Sequence, residues 1–250
     1  MAMTVLFIHG FPFDHTMWRH QLAALSGWSC VAPDLRGFGE SPGGEADDPA
    51  QYTMSMYADD LIAQLDHMGI RETVVCGLSM GGYIAFELLR SHPARVKAAI
   101  LCNTKASADT PEGKADRDAM AALARHQGAT AIAEKLLPKL LSPVTVKSHP
   151  QVVEEVRAMI TRTSVNGIVG ALHALRERPD STPSLKRIGV PVLVVAGEDD
   201  QITPAPLMRE MASAIPGAKF AKIAEAGHVT PLEQPRNVSA GIAAFLRTLG

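Results

Sequence analysis

The tightest constraint on this chain lies at Val74-Val75-Cys76-Gly77-Leu78-Ser79-Met80-Gly81-Gly82. There a short β-branched run meets Gly-x-Ser-x-Gly and passes at once into the helix-forming Tyr83-Ile84-Ala85-Phe86-Glu87-Leu88-Leu89. A strand that turns into a helix within so few residues lifts Ser79 out of the backbone on a strained corner, with its hydroxyl exposed. A Cβ at Gly77 or Gly81 would collide with the turn. The new helix also presents free N–H groups and a positive end beside the serine. Gly-x-Ser-x-Gly alone is a weak signal, because both residue types are common. Its setting between an apolar strand and an amphipathic helix is what makes Ser79 a candidate nucleophile.

The rest of the chain alternates around that element. Residues 4–8 form an apolar strand ending in His9-Gly10-Phe11-Pro12, and a helical stretch over 17–25 leads to a second strand over 28–32. Asp34-Leu35-Arg36-Gly37-Phe38-Gly39-Glu40-Ser41 reads as a turn-rich loop that runs into Pro42-Gly43-Gly44. A helix begins near Ser55 or Met56, with Asp59 and Asp60 expected in its first turn, an apolar stripe of Leu61, Ile62, Leu65 and Met68, and Gly69 as its stop. Further strands are expected over 97–102, 190–197 and 218–223, and helices over 204–215 and 235–249. Near-continuous apolar strands alternating with helices imply α/β class, with a mostly parallel sheet covered on both faces.

The alternation lapses between residues 104 and 183. No strand-like run occurs there, whereas Ile132, Leu136, Leu137 and Leu140, then Val152, Val153, Val156, Met159 and Ile160, then Ile168, Val169, Leu172 and Leu175 recur at helical spacing. Turn-rich Asp109-Thr110-Pro111-Glu112-Gly113 and Asp180-Ser181-Thr182-Pro183 bound the block. It is expected to be a helical cap inserted into one α/β core made of residues 1–103 and 184–250.

A serine hydroxyl needs a base beside it to attack at neutral pH. In parallel-sheet enzymes with this strand–turn–helix corner the partners follow in the order nucleophile, acid, histidine. His228 is the only histidine after the last long buried strand, and it sits in the turn Ala226-Gly227-His228-Val229-Thr230-Pro231-Leu232. The acid that orients it is expected in Glu198-Asp199-Asp200, at the carboxyl edge of the sheet where catalytic groups of such folds gather. Spacing alone does not choose among these carboxylates.

These residues carry a family resemblance. Through His9-Gly10, Asp34-x-Arg36-Gly37-x-Gly39-x-Ser41, Gly77-Leu78-Ser79-Met80-Gly81-Gly82, Gly197-x-x-Asp200 and Gly227-His228, the chain resembles the α/β-hydrolase fold superfamily. It is similar there to capped bacterial carboxylesterases, enol-lactone hydrolases and cofactor-free perhydrolases. The resemblance implies a trimmed sheet of about six strands and selects Asp200 over Asp199 as the acid. It also implies an oxyanion hole made by the backbone N–H groups of Phe11 and Met80. His9 and Gly10 are then expected to shape the loop, and Arg36 to serve packing and loop hydrogen bonds.

The implied activity is serine hydrolysis of small to medium carboxylic esters or lactones through an acyl-enzyme. Enol-lactone hydrolysis would need a cation for the substrate carboxylate, with Arg125, Arg157 and Arg162 as candidates. Leu137, Leu141, Met159 and Ile160 are candidates for an acyl pocket. Perhydrolase or haloperoxidase side activity, carbon–carbon hydrolysis and hydroxynitrile lysis share the scaffold, and a weakly catalytic ligand receptor is the reading from another class. Serine as nucleophile argues against dehalogenase and epoxide hydrolase chemistry, which uses aspartate there.

Composition narrows the partners. A net charge of −2 over 250 residues gives no electrostatic reason to expect nucleic acid or an anionic membrane. No apolar run approaches the roughly 18 residues of a spanning helix, and Met1-Ala2-Met3-Thr4 shows no basic leader. Three cysteines without Cys-x-x-Cys suit a reducing cytoplasm. No metal ligand spacing and no dinucleotide-binding glycine fingerprint is present, so neither a metal nor an organic cofactor is expected. The expected partner is a small-molecule ester or lactone.

Overall fold

Six strands form one sheet in the computed structural model, which describes residues 3–41 and 48–250. They are β1 (Thr4–Ile8), β2 (Ser29–Val31), β3 (Thr73–Leu78), β4 (Val96–Cys102), β5 (Val192–Gly197) and β6 (Lys219–Ile223). All pairings are parallel, in the order β2-β1-β3-β4-β5-β6. Every residue of β1, β3 and β5 is buried, while the edge strands β2 and β6 keep exposed positions. This is the pattern of a parallel sheet whose central strands are covered on both faces. The chain runs outward from β1 to β2 and then returns to β3 on the other side. The loops after β1 and β3 therefore face each other where the strand order reverses, the usual place for a ligand in such sheets. Pro42-Gly43-Gly44 lies outside the described residues.

Helices α1 (Arg19–Ala24), α2 (Met54–His67) and α3 (Met80–Ser91) belong to the first half of the sheet. The expected placing of Asp59 and Asp60 in the first turn of α2 is corrected. Thr53 caps the helix by accepting the Met56 N–H at 3.0 Å, so α2 starts at Met54 and both aspartates fall in the second turn. There Asp60 receives a two-pronged contact from Arg36 at 2.7 and 2.8 Å, and Asp59 meets His92. Arg36 thus pins the loop after β2 to α2.

Between β4 and β5 the described residues hold no strand. They hold α4 (Pro111–Leu140), kinked at Gly128 where φ is +74°, α5 (Pro143–Ser148), α6 (Pro150–Thr161) and α7 (Val165–Glu177). These helices pack on one another, α4 on both α6 and α7, and α5 on α6. Most of their apolar positions are buried, as are Leu137, Leu141, Met159 and Ile160, while Leu136, Val152 and Val153 are half-buried. α7 approaches the core unusually closely. A methyl on Gly167 would run into the Gly37 carbonyl, and one on Gly170 would run into the Tyr52 ring.

Arg178, just past α7, ties the two ends of this helical layer together. It is 4% exposed, pairs with Asp109 at 2.7 Å, donates to the Leu175 and Ser107 carbonyls, and lies over the Tyr83 ring. Burial raises the Asp109 carboxyl, but Arg178 and Arg117 override it and hold Asp109 down at about 2. Removing one partner of such a pair strands the other. Arg178→Met is expected to cost about 3 kcal/mol of stability. A carboxyl depressed on folding contributes stability that is fully present above its unfolded pKa of about 3.9 and is lost as pH falls through the folded value. Wild-type Tm should accordingly fall more steeply than that of the variant between about pH 4 and 2. Equal slopes in thermal melts would count against the pair.

The strand–helix alternation resumes with α8 (Ala205–Ser213), the one-turn α9 (Thr230–Glu233) and α10 (Pro235–Leu246). Among the described residues, no helix is long and apolar enough to cross a membrane.

Candidate active site

Ser79 directly follows β3 and directly precedes α3, with φ +53° and ψ −111°. A backbone in this region costs about 1–3 kcal/mol and persists only when its surroundings fix it. Here they do. The Ser79 N–H donates to the Cys102 carbonyl at 2.9 Å, and its own carbonyl accepts the Thr104 hydroxyl at 2.8 Å. A Cβ on Gly77 would enter the Gly81 backbone, and one on Gly81 would enter the Ile8 carbonyl, so the corner closes only with glycine at both places.

The other two side chains converge on the Ser79 hydroxyl from the far half of the sheet. His228, 2% exposed in the loop after β6, places Nε2 2.8 Å from Ser79 Oγ. Its Nδ1 lies 2.9 Å from Asp200 Oδ2. Asp200 follows β5 and is buried, with Oδ1 accepting the Ile202 and Thr203 N–H groups at 2.8 and 3.0 Å. Oδ2 accepts from Asn103 Nδ2 at 2.8 Å and from the Thr203 hydroxyl at 2.6 Å. Burial raises the Asp200 carboxyl. The His228 charge and hydrogen bond, with the Asn103 and Thr203 bonds, outweigh it and hold Asp200 well below the usual carboxylate range. An ionised carboxylate can only accept, so the Nδ1–H of His228 donates to it and Nε2 is left to accept the Ser79 proton.

The neighbouring carboxylates point to other partners. Glu198 is exposed and pairs with Lys222, and Asp199 is half-buried with its N–H on the Ala226 carbonyl. The Met80 N–H opens α3 and has no acceptor within the helix. Phe11, buried in the loop after β1, makes no backbone hydrogen bond through its N–H among the described residues. That loop is pressed against the corner, since Ile8 and His9 carbonyls abut Gly81. His9 is fully buried, accepts the Leu35 N–H on Nε2 at 3.0 Å and so donates Nδ1–H to the Gly10 carbonyl. Burial lowers its pKa, and it bridges two loops.

The arginines considered as substrate anchors are differently placed. Arg162 donates to Asp14 at 2.6 Å and Thr16 at 2.7 Å, which ties the end of α6 to the loop carrying Phe11. Arg157 is held between Glu134 and Glu154, and Arg125 is exposed on α4. Among the described residues, one group of side chains has metal-ligand proximity, Asp14, His15 and Asp34. Its oxygens already accept from Thr16, Arg162 and the N–H groups of His15 and Glu40, and a cation there would face the Arg162 guanidinium.

Three residues around the site were not singled out in the sequence. Asn103, at the tip of β4 with φ +46°, links Asp200 to the Gly227 carbonyl at 3.1 Å and accepts the Thr230 hydroxyl at 2.7 Å. Asparagine tolerates this left-handed backbone better than most residues. An asparagine directly after a buried strand at the active edge was the available signal. Thr203 follows Asp200 by three, the spacing of a side chain that closes a turn on a carboxylate. Glu233 carried no such local mark.

Comparison with known proteins agrees with this architecture. The family model described as alpha/beta hydrolase fold matches residues 4–235. A 3-oxoadipate enol-lactonase from Acinetobacter baylyi is 29% identical over 97% of this chain and 88% of that protein. The structure of a thermophilic esterase from Thermogutta terrifontis, with malate bound, superposes with TM-score 0.96 at 41% identity, covering 100% of this chain and 91% of that one. An enol-lactonase from Burkholderia xenovorans LB400 gives TM-score 0.90 at 30% identity, covering 99% and 92%. With its parallel sheet, its strand–serine–helix corner and a family match over nearly its whole length, this chain belongs to the α/β-hydrolase fold family.

Proposed function

We propose that this protein is a serine hydrolase that cleaves small to medium carboxylic esters or lactones through an acyl-enzyme. The observation that carries the reading is the continuous line from Ser79 Oγ to His228 Nε2 at 2.8 Å and from His228 Nδ1 to the buried Asp200 carboxylate at 2.9 Å. The relatives that bear the names esterase and enol-lactonase support ester or lactone chemistry.

In this mechanism Ser79 Oγ attacks the carbonyl carbon as His228 Nε2 takes its proton. Asp200 keeps the imidazole in the receptive tautomer and stabilises the imidazolium. The carbonyl oxygen gathers negative charge and is met by the N–H groups of Met80 and Phe11. When the tetrahedral species collapses, His228 returns the proton to the leaving alcohol. A water then repeats the sequence on the acyl-enzyme and frees Ser79. These steps draw only on the protein's own groups. In this reading residues 104–183 act as a cap over the core formed by 1–103 and 184–250, and determine which acyl and alcohol groups reach Ser79.

Assay of p-nitrophenyl acetate, butyrate and octanoate beside a set of lactones tests the proposal. The expected result is a burst of one equivalent of nitrophenol followed by steady turnover, with a fluorophosphonate label recovered on the Ser79 peptide. Tight binding with about one turnover would instead indicate a receptor built on the same fold.

A further inference from the structure

We propose that Glu233 is the positioning residue of the His228 loop, its carboxylate holding that loop on one side and the start of α5 on the other. The inference rests on His228 being the general base. Glu233 lies on α9, is 6% exposed, and has no cationic partner among the described residues. Its Oε1 accepts the N–H groups of Gly227 and Val229, the two residues flanking His228, at 2.9 and 3.3 Å. Its Oε2 accepts the Ser142 N–H at 2.7 Å and the Thr145 hydroxyl at 2.8 Å.

The contact between the two sides is direct as well. The His228 N–H donates to the Leu140 carbonyl at 2.8 Å, and the Ser142 hydroxyl reaches the Glu225 carbonyl at 3.1 Å. Gly227 has no room for a side chain, because a Cβ there would lie 2.8 Å from Leu140 and Ser142 backbone atoms. Every peptide N–H from Gly227 to Val229 is therefore held from the side of Glu233 or of α4. A buried carboxylate without a cation is costly, and burial pushes the Glu233 carboxyl up. Four donors converging on two oxygens act against that shift by favouring the ionised form. A glutamine in the same place would turn its NH2 toward at least one of those donors.

The consequence for chemistry is geometric. General-base transfer depends on the Nε2-to-Oγ distance, and a displacement of about 1 Å costs on the order of 100-fold. Glu233 acts on that distance through the backbone on both sides of the imidazole and touches no reacting atom.

The test compares Glu233→Gln with Thr145→Val, which deletes one arm toward α5 and leaves both bonds to the His228 loop. With p-nitrophenyl butyrate, Glu233→Gln is expected to lower kcat at least about tenfold with KM within about threefold. Thr145→Val should keep kcat within about threefold. Isotope-labelled histidine NMR should show the His228 ring signals displaced or multiplied in Glu233→Gln and unmoved in Thr145→Val. An unchanged kcat in Glu233→Gln, or a reduced one with unmoved His228 signals, overturns the inference. If Glu233→Gln does not fold, Glu233→Asp, which keeps the charge but retracts it by one methylene, carries the test by the same criteria. Ser79→Ala separates the two levels. Activity surviving in that variant refutes the hydrolase mechanism itself, whereas its loss beside an unaffected Glu233→Gln refutes only the role of Glu233.

Discussion

Ser79→Ala is expected to remove esterase turnover by at least about 10⁴-fold, and His228→Ala by a comparable factor, with the double variant little worse than either. The reason lies in how the parts depend on one another. In the proposed mechanism the hydroxyl is reactive only because Nε2, 2.8 Å away, receives its proton, and the imidazole has no acyl-transfer role without the hydroxyl. Groups that act as one unit do not contribute additively. Both single variants should remain folded, because the turn at Ser79 is held by the Cys102 carbonyl and the Thr104 hydroxyl rather than by its own side chain. Steady-state rates on p-nitrophenyl butyrate, with thermal melts alongside, provide the check. Near-wild-type turnover in Ser79→Ala would remove the mechanism.

The second large effect concerns the carboxylate. Asp200→Asn is expected to lower kcat by about 10³- to 10⁴-fold, while Asp199→Asn stays within about threefold. Asparagine preserves the shape of the side chain but brings an NH2 into a nest that already contains the donors of Asn103, Ile202 and Thr203. At least one donor would then face another, and the amide oxygen would be drawn from Nδ1 toward the backbone. Without a firm acceptor, His228 can take the tautomer that carries its proton on Nε2, where it blocks the transfer from Ser79. Asp199 has no such ties. The opposite ranking of the two variants in kcat would move the acid to Asp199.

What could be read from the sequence divides along a physical line. The corner at Ser79 is local: apolar run, two glycines and helix former lie within sixteen residues, and each forces its neighbour. The α/β class and the strand-free helical layer follow from periodicity in the same local way. Asp200 could not be told from Asp199 on those terms, because what distinguishes them is Asn103, 97 residues away, and His228, 28 away. Glu233 was invisible for the same reason, since one of its oxygens meets residues 88 and 91 positions earlier. The arginines show the converse limit. Charge on a helix is plain in a sequence, but the Asp14 and Glu134 that already occupy Arg162 and Arg157 come from elements folded against them. α2 starts one or two residues earlier than expected because the Thr53 cap outweighed the pull of two aspartates toward the helix end, which leaves both aspartates in the second turn.

The glycine contacts under α7 set where this molecule has freedom to change. Gly167 meets the Gly37 backbone and Gly170 meets the Tyr52 ring with no intervening atoms to rearrange, so α7 behaves as a rigid abutment. Gly128 is the contrast, since α4 breaks there and an added Cβ would meet no atom within 4 Å. Substitutions that thicken α7 at Gly167 or Gly170 are therefore expected to push it off the Gly37 backbone and the Tyr52 ring.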